Sequence, residues 1–146
     1  MNLENKKVVI VGFGKTGFAV ANFLLNKKAN VFITDIEETR EKIENLKKLN
    51  RKVEFEFGKH SSSFLKGSDL IIISPGVDEK ILPEIVNEEK IPVISEIELS
   101  YNFSPSKKII AITGTNKSPE LFPIMHILGI DKVLIRIDNA IEKLKE

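Results

Sequence analysis

Two hydrophobic periods alternate along the chain. Residues 7–12 (KVVIVG) form an unbroken β-branched run closed by glycine, the pattern of a strand buried on both faces of a parallel sheet. Residues 16–28 then set Phe18, Val20, Ala21, Phe23, Leu24 and Leu25 mostly along one helical stripe, and 30–34 supply a second short apolar run. The alternation continues with a charged helix over 37–49, a strand over 52–57, a short helix over 62–66 and a strand over 69–74. A helix over 79–88 leads to a short strand over 92–94, where Pro92 is tolerable at the first strand position, and a helix over 96–103 follows. Ser104-Pro105-Ser106 reads as a turn and as the best candidate linker. Beyond it the pattern gives a strand over 108–113, a helix over 120–128, a strand over 132–137 and a helix over 139–145.

Strands alternating with helices predict an α/β fold, a Rossmann-like three-layer sandwich with a mostly parallel, doubly wound sheet. The expected strand order is 3-2-1-4-5, with the later strands added beyond the fifth. A length of 146 residues with 42% hydrophobic composition suits one packed domain.

Lys and Arg number 22 against 21 Asp and Glu, so no net field draws the chain to nucleic acid or to an anionic membrane. Neither partner is expected, and anion binding has to be local. The chain has no cysteine, which removes disulfides and thiolate chemistry and fits a reducing compartment. Its start is polar and no apolar run is long enough to span a membrane, so the expected location is the cytoplasm. His60 and His126 lack ligand-like spacing, and no metal site is expected.

Between the first strand and first helix lies Gly12-Phe13-Gly14-Lys15-Thr16-Gly17, a G-x-G-x-x-G loop followed by Asp35 at the end of the second strand. Gly12 suits the tight turn, Gly14 lets a diphosphate approach the backbone, and Gly17 permits close packing of helix on strand. Amides around Lys15 and Thr16 would face phosphate oxygens at the positive end of the helix, with the Thr16 hydroxyl and Lys15 charge in support. Asp35 would accept from a ribose or base. Taken alone, this fingerprint suggests NAD. Ser95 followed by Glu98 reads as a helix start, so Glu96 and Glu98 receive no catalytic role.

Further segments change that picture. VVIVGFGKTG, DLIIISPGV (69–77), ISEIEL and IIAITGTN occur in an order that resembles the Mur ligase family, most closely its D-glutamate-adding members, over residues 1–116. The resemblance implies a Rossmann-like amino-terminal domain that holds the UDP part of a UDP-N-acetylmuramoyl substrate in place of NAD. By position it implies Lys15 and Thr16 on the diphosphate, with Gly12, Gly14 and Gly17 shaping the loop. It further implies Asp35 and Ile36 at the uridine, Ser74, Pro75 and Gly76 as the sugar and nucleotide wall, and Asn116 as another substrate contact.

The family continues from ITGTN into a phosphate loop for ATP, used with Mg2+. Here Asn116 meets Lys117-Ser118-Pro119 directly, one glycine short of the loop, and Ser118-Pro119-Glu120 reads more simply as a helix N-cap, N1 proline and first-turn acid. Residues 117–146 do not resemble the family's central domain. They weakly resemble the closing helix, strand and helix of STAS domains, and are expected to pack on the same domain. The combined expectation is a non-catalytic fragment or chimera, natural or engineered, of a D-glutamate-adding Mur ligase. It would retain UDP or UDP-N-acetylmuramoyl-L-alanine binding, belong to peptidoglycan-precursor synthesis, and bind no cofactor. An NAD-binding domain and a ligand-free scaffold are the alternatives.

Overall fold

The computed structural model describes residues 1–49 and 53–104. The chain divides into two compact units, Met1–Pro105 and Ser106–Glu146, a division that falls within the Ser104-Pro105-Ser106 cluster. The elements expected over 108–145, the boundary at 116/117, and with them Asn116, Lys117 and His126, lie outside the described residues.

Five strands form one parallel sheet in the order β3-β2-β1-β4-β5, as expected. They are β1 (Lys7–Val11), β2 (Asn30–Asp35), β3 (Glu54–Phe57), β4 (Leu70–Ile73) and β5 (Val93–Ser95). The helices are α1 (Lys15–Asn26), α2 (Arg40–Lys48), α3 (Ser62–Leu65), α4 (Ile85–Glu88) and α5 (Glu96–Phe103).

β1 is apolar from Val8 to Val11 because both of its faces are covered there. Val8 and Ile10 join Val31, Ile33, Leu70 and Ile72 beneath the buried stripe of α1 (Val20, Ala21, Leu24 and Leu25), with Leu99 of α5 in the same cluster. Val9 and Val11 join Ile71 and Ile73 on the other face, under Leu65 of α3 and Val86 of α4. The alternation of side chains along each strand therefore produces three layers.

Two expected helices have different limits. The helix expected over 37–49 begins only at Arg40, because Thr39 is extended and its hydroxyl caps the Lys42 N–H at 3.2 Å. The single helix expected over 79–88 is two pieces, a 3-10 turn over Glu79–Ile81 and α4. Pro83 has no N–H and disfavours helical backbone in the residue before it, and Leu82 is accordingly extended at φ −68°, ψ 135°.

In this order β1 and β4 are neighbours at the point where the chain reverses its direction of travel across the sheet. Crevices at the carboxyl ends of strands beside such a reversal are where open α/β sheets receive ligands.

Candidate functional site

The carboxyl ends of β1, β2 and β4 bring together three segments: the glycine loop, Asp35 with Ile36, and Ser74-Pro75-Gly76. The three glycines of the loop differ in what holds them. Gly12 adopts φ +93°, and a Cβ on it would lie 2.9 Å from Ser74 Cβ. A Cβ on Gly17 would run into the Gly12 carbonyl oxygen, so the first turn of α1 can sit on β1 only without a side chain there. Gly14 has neither constraint: its φ is −84° and nothing lies within 4 Å of where its Cβ would be.

Gly14 is the N-cap of α1 and supplies no side-chain cap, nor is there an acidic residue in the helix's first turn. Gly14, Lys15 and Thr16 are exposed. The opening amides of a twelve-residue helix thus face outward with the positive end of its dipole.

The loop is pinned from both sides. Its Gly12 N–H donates to the Thr34 carbonyl at 2.9 Å, and the Gly12 carbonyl accepts from Ser74 Oγ at 3.0 Å. Phe13, fully buried, donates its N–H to Asp35 Oδ2 at 2.6 Å. Gly76, like Gly14, has open space where a Cβ would be.

Asp35 is more occupied than the sequence indicates. Besides Phe13, its Oδ1 accepts from the Glu37 N–H at 2.9 Å, and Lys42 Nζ lies 2.9 Å from Oδ2. Both side chains of this ion pair are largely buried, 13% and 12% exposed, so the pair is not a screened surface contact. Burial pushes the Asp35 pKa up, but Lys42 and the N–H groups of Phe13 and Glu37 together outweigh it, and the carboxyl titrates below its ordinary value. Lys42 also donates to the Glu37 carbonyl at 3.2 Å. Ile36, between Asp35 and Glu37, leaves 53% of its surface exposed, an apolar face at the end of β2.

Sequence reasoning missed two residues here. Lys42 carried one available signal: it is the third residue of α2, where a cation opposes the helix dipole, and such a residue implies a nearby anion. His60 carried no spacing signal. It reaches the site because the loop after β3 folds back on β2, where its Nδ1 lies 2.8 Å from Thr34 Oγ1.

Elsewhere, Ser95 Oγ accepts from the Glu98 N–H at 3.1 Å, the expected helix start. An open hollow of about 550 Å³ runs along α2, lined by Glu38, Thr39, Arg40, Ile43, Glu44 and Lys47, and includes none of the loop residues. Among the described residues no group of His, Cys, Asp or Glu could hold a metal ion, and no helix is long and apolar enough to cross a membrane.

A five-stranded parallel sheet with helices on both faces and a glycine loop at its reversal point defines a Rossmann-like α/β domain. The model of the Mur ligase MurD-like N-terminal domain matches residues 6–95, and the chain belongs to that family. A second family model, the anticodon binding domain, matches residues 109–141. The chain is 40% identical over 120 residues to UDP-N-acetylmuramoylalanine--D-glutamate ligase of Thermoanaerobacter sp. (strain X514), a match covering 80% of this chain and 26% of the relative. The same-named protein of Desulfatibacillum aliphaticivorans is 41% identical over 120 residues, with the same coverage. The chain thus spans about a quarter of the length of the curated relatives it matches. Among solved structures it is similar to a pseudomurein peptide ligase type C from Methanothermus fervidus, at 30% identity and TM-score 0.57 over 77% of this chain and 23% of that one. SirC, a precorrin-2 dehydrogenase, shares the fold at 16% identity and TM-score 0.50, over 90% of this chain and 68% of that one.

Proposed function

We propose that the described domain binds the UDP portion of a UDP-N-acetylmuramoyl substrate across the carboxyl ends of β1, β2 and β4. The observation that carries this reading is the contrast among the loop glycines. Gly12 and Gly17 are required by the chain's own backbone, whereas Gly14 meets nothing and leaves the opening amides of α1 uncapped. A residue without a side chain at an outward-facing helix start suits close approach by a diphosphate.

In this reading the amides of Lys15 and Thr16, with the Thr16 hydroxyl and the Lys15 charge, hold the diphosphate. The exposed side chain of Ile36 lies flat against uracil, and Ser74, Pro75 and Gly76 wall the sugar side. Asp35 acts first as a clamp on the loop. That both its oxygens are engaged by Phe13, Glu37 and Lys42 counts against an NAD site, which needs this carboxylate for the adenosine ribose.

The proposed role is binding without turnover, in the cytoplasm, as a part of peptidoglycan-precursor synthesis. The family model matched over residues 6–95 is that of an N-terminal domain, and ligation in the family draws on further domains, so the role proposed for the described domain is the holding of substrate. Matches to two different family models, over 6–95 and 109–141, support reading the chain as two joined segments of different ancestry. Calorimetric titration with UDP, NAD and ATP in parallel tests the binding role. Saturable UDP binding weakened by Thr16→Ala is the expected result; heat from NAD alone, or none from any of the three, overturns it.

A further inference from the structure

We infer that His60 is a further ligand-binding residue of this site, its Nε2 accepting a hydrogen bond from a hydroxyl or N–H of the nucleoside portion of the bound nucleotide. The inference rests on the nucleotide reading above and adds to it a contact from the loop after β3.

The position comes from a short chain of backbone bonds. Gly58 donates its N–H to the Asp35 carbonyl at 2.9 Å, which carries the β2–β3 ladder one residue past Phe57 and starts the loop after β3 at the carboxyl end of β2. Thr34, one residue before Asp35, accepts from the Gly12 N–H through its carbonyl and meets His60 Nδ1 through its hydroxyl. One residue thus joins the glycine loop to the imidazole. Thr34 is fully buried, so the ring is fixed from a rigid point, while His60 itself is only partly covered.

Counting protons fixes the tautomer. Thr34 has a single hydroxyl proton, and Oγ1 donates it to the Lys59 carbonyl at 2.9 Å. The carbonyl can only accept, so the 2.8 Å contact between Thr34 Oγ1 and His60 Nδ1 requires the imidazole to be the donor. A neutral imidazole has one N–H, and with that proton on Nδ1 its Nε2 is a bare acceptor. Burial lowers the His60 pKa from its ordinary 6.5, against the opposing pull of the Asp35 and Glu56 carboxylates. Those carboxylates are themselves engaged, Asp35 by Lys42 and Glu56 by the Ser61 N–H and hydroxyl, with Lys59 at 4.0 Å. The ring is therefore neutral at pH 7.

No hydrogen bond reaches His60 Nε2 from the described residues. An oriented acceptor, neutral and half-covered, stands beside the end of β2 where the nucleoside is proposed to lie. Its chemistry selects the ligand group: the diphosphate of a UDP-sugar, esterified at both ends, offers no proton at neutral pH, whereas ribose hydroxyls and the N3–H of uracil do. Preorganised acceptors of this kind contribute specificity through the cost of leaving them unpaired.

The test is calorimetric titration of the whole chain and its His60→Asn variant with UDP and with inorganic pyrophosphate. Asparagine places an amide N–H near the position of Nδ1, keeping the bond to Thr34 while removing Nε2. UDP affinity is expected to fall roughly five- to tenfold, with pyrophosphate affinity and Tm unchanged. In the unsubstituted chain UDP affinity should also weaken as pH falls through the His60 pKa, because protonation removes the acceptor, and this component should be absent from His60→Asn. Equal UDP affinity in the two proteins overturns the inference and leaves the UDP site standing. Pyrophosphate and UDP weakening together, or UDP binding that tightens on protonation of His60, also overturns the acceptor role. Absence of UDP binding by the unsubstituted chain removes the nucleotide reading and this inference with it.

Discussion

Asp35 Oδ2 accepts the Phe13 N–H at 2.6 Å, so the last residue of β2 holds the middle of the glycine loop that follows β1. The same carboxylate carries the Glu37 N–H and Lys42. Asp35→Ala leaves the Phe13 and Glu37 N–H groups without their acceptor and Lys42 with only the Glu37 carbonyl and carboxylate, at a cost of about 2–3 kcal/mol. Urea denaturation is expected to show that loss, with UDP affinity falling in parallel because the loop is no longer held.

The pH dependence has a definite sign. Folding holds the Asp35 carboxyl below its ordinary value of 3.8, so its contribution to stability is present above that value and is lost as pH falls through the folded pKa. Asp35→Asn removes the titrating group, and its acid unfolding curve, followed by circular dichroism from about pH 5 to about pH 2, should be shallower than that of the unsubstituted chain.

Two glycines of one loop should separate stability from binding. Gly17→Ala sets a methyl against the Gly12 carbonyl, where backbone must move, at an expected cost of roughly 1–3 kcal/mol. Gly14→Ser meets open space and supplies a good N-cap, so Tm should hold or rise slightly. Its hydroxymethyl group would nevertheless occupy the helix start proposed for the diphosphate, and calorimetry should register a loss of UDP binding of tenfold or more. Normal UDP binding by Gly14→Ser would contradict the placement of the diphosphate.

The parts of this fold legible in sequence are those encoded locally. VVIV (8–11) is apolar at every position because Val8 and Ile10 enter one cluster and Val9 and Val11 the other, and a run buried on both faces is recognisable without knowing its neighbours. The glycine spacing is equally local, since Gly17 answers to Gly12 five residues earlier. The tether of Ser74 to Gly12 and the contact of His60 with Thr34 span 62 and 26 residues. The first arises from the parallel pairing of β1 with β4 and the second from that of β2 with β3, and no local period records which side chains such pairing brings together. The break at Leu82 was legible in principle from Pro83, but the surrounding apolar and acidic residues mimic a continuous helix.

Lys42 tests whether the ion pair or the backbone donors dominate at Asp35. Lys42→Met keeps most of the aliphatic stem and removes the charge, leaving Asp35 with the Phe13 and Glu37 N–H groups. The expected cost is about 1–2 kcal/mol, below that of Asp35→Ala because the carboxylate stays solvated by backbone. The Asp35 pKa should rise, as carboxyl carbon chemical shifts followed against pH would report. An unmoved pKa would mean that backbone donors alone hold the carboxylate.

Glu96 should respond with the opposite sign. It stands at the start of α5, half-buried, and its Oε2 has no hydrogen-bond partner among the described residues. Burial raises its pKa above the ordinary 4.5, outweighing the opposing bond from its own N–H. A raised folded pKa means that the associated stability is fully present below the unfolded value and is lost as pH rises through the folded one. At pH 7 the ionised carboxylate is therefore a cost, where Asp35 is a gain. Glu96→Gln removes the charge and retains the shape, and is expected to stabilise the domain at pH 7 by roughly 0.5–2 kcal/mol. At about pH 4, where Glu96 is protonated in the folded chain, the two proteins should converge. Urea denaturation at both pH values measures the difference, and a Glu96→Gln variant less stable at pH 7 would mean that the carboxylate is held by a favourable partner.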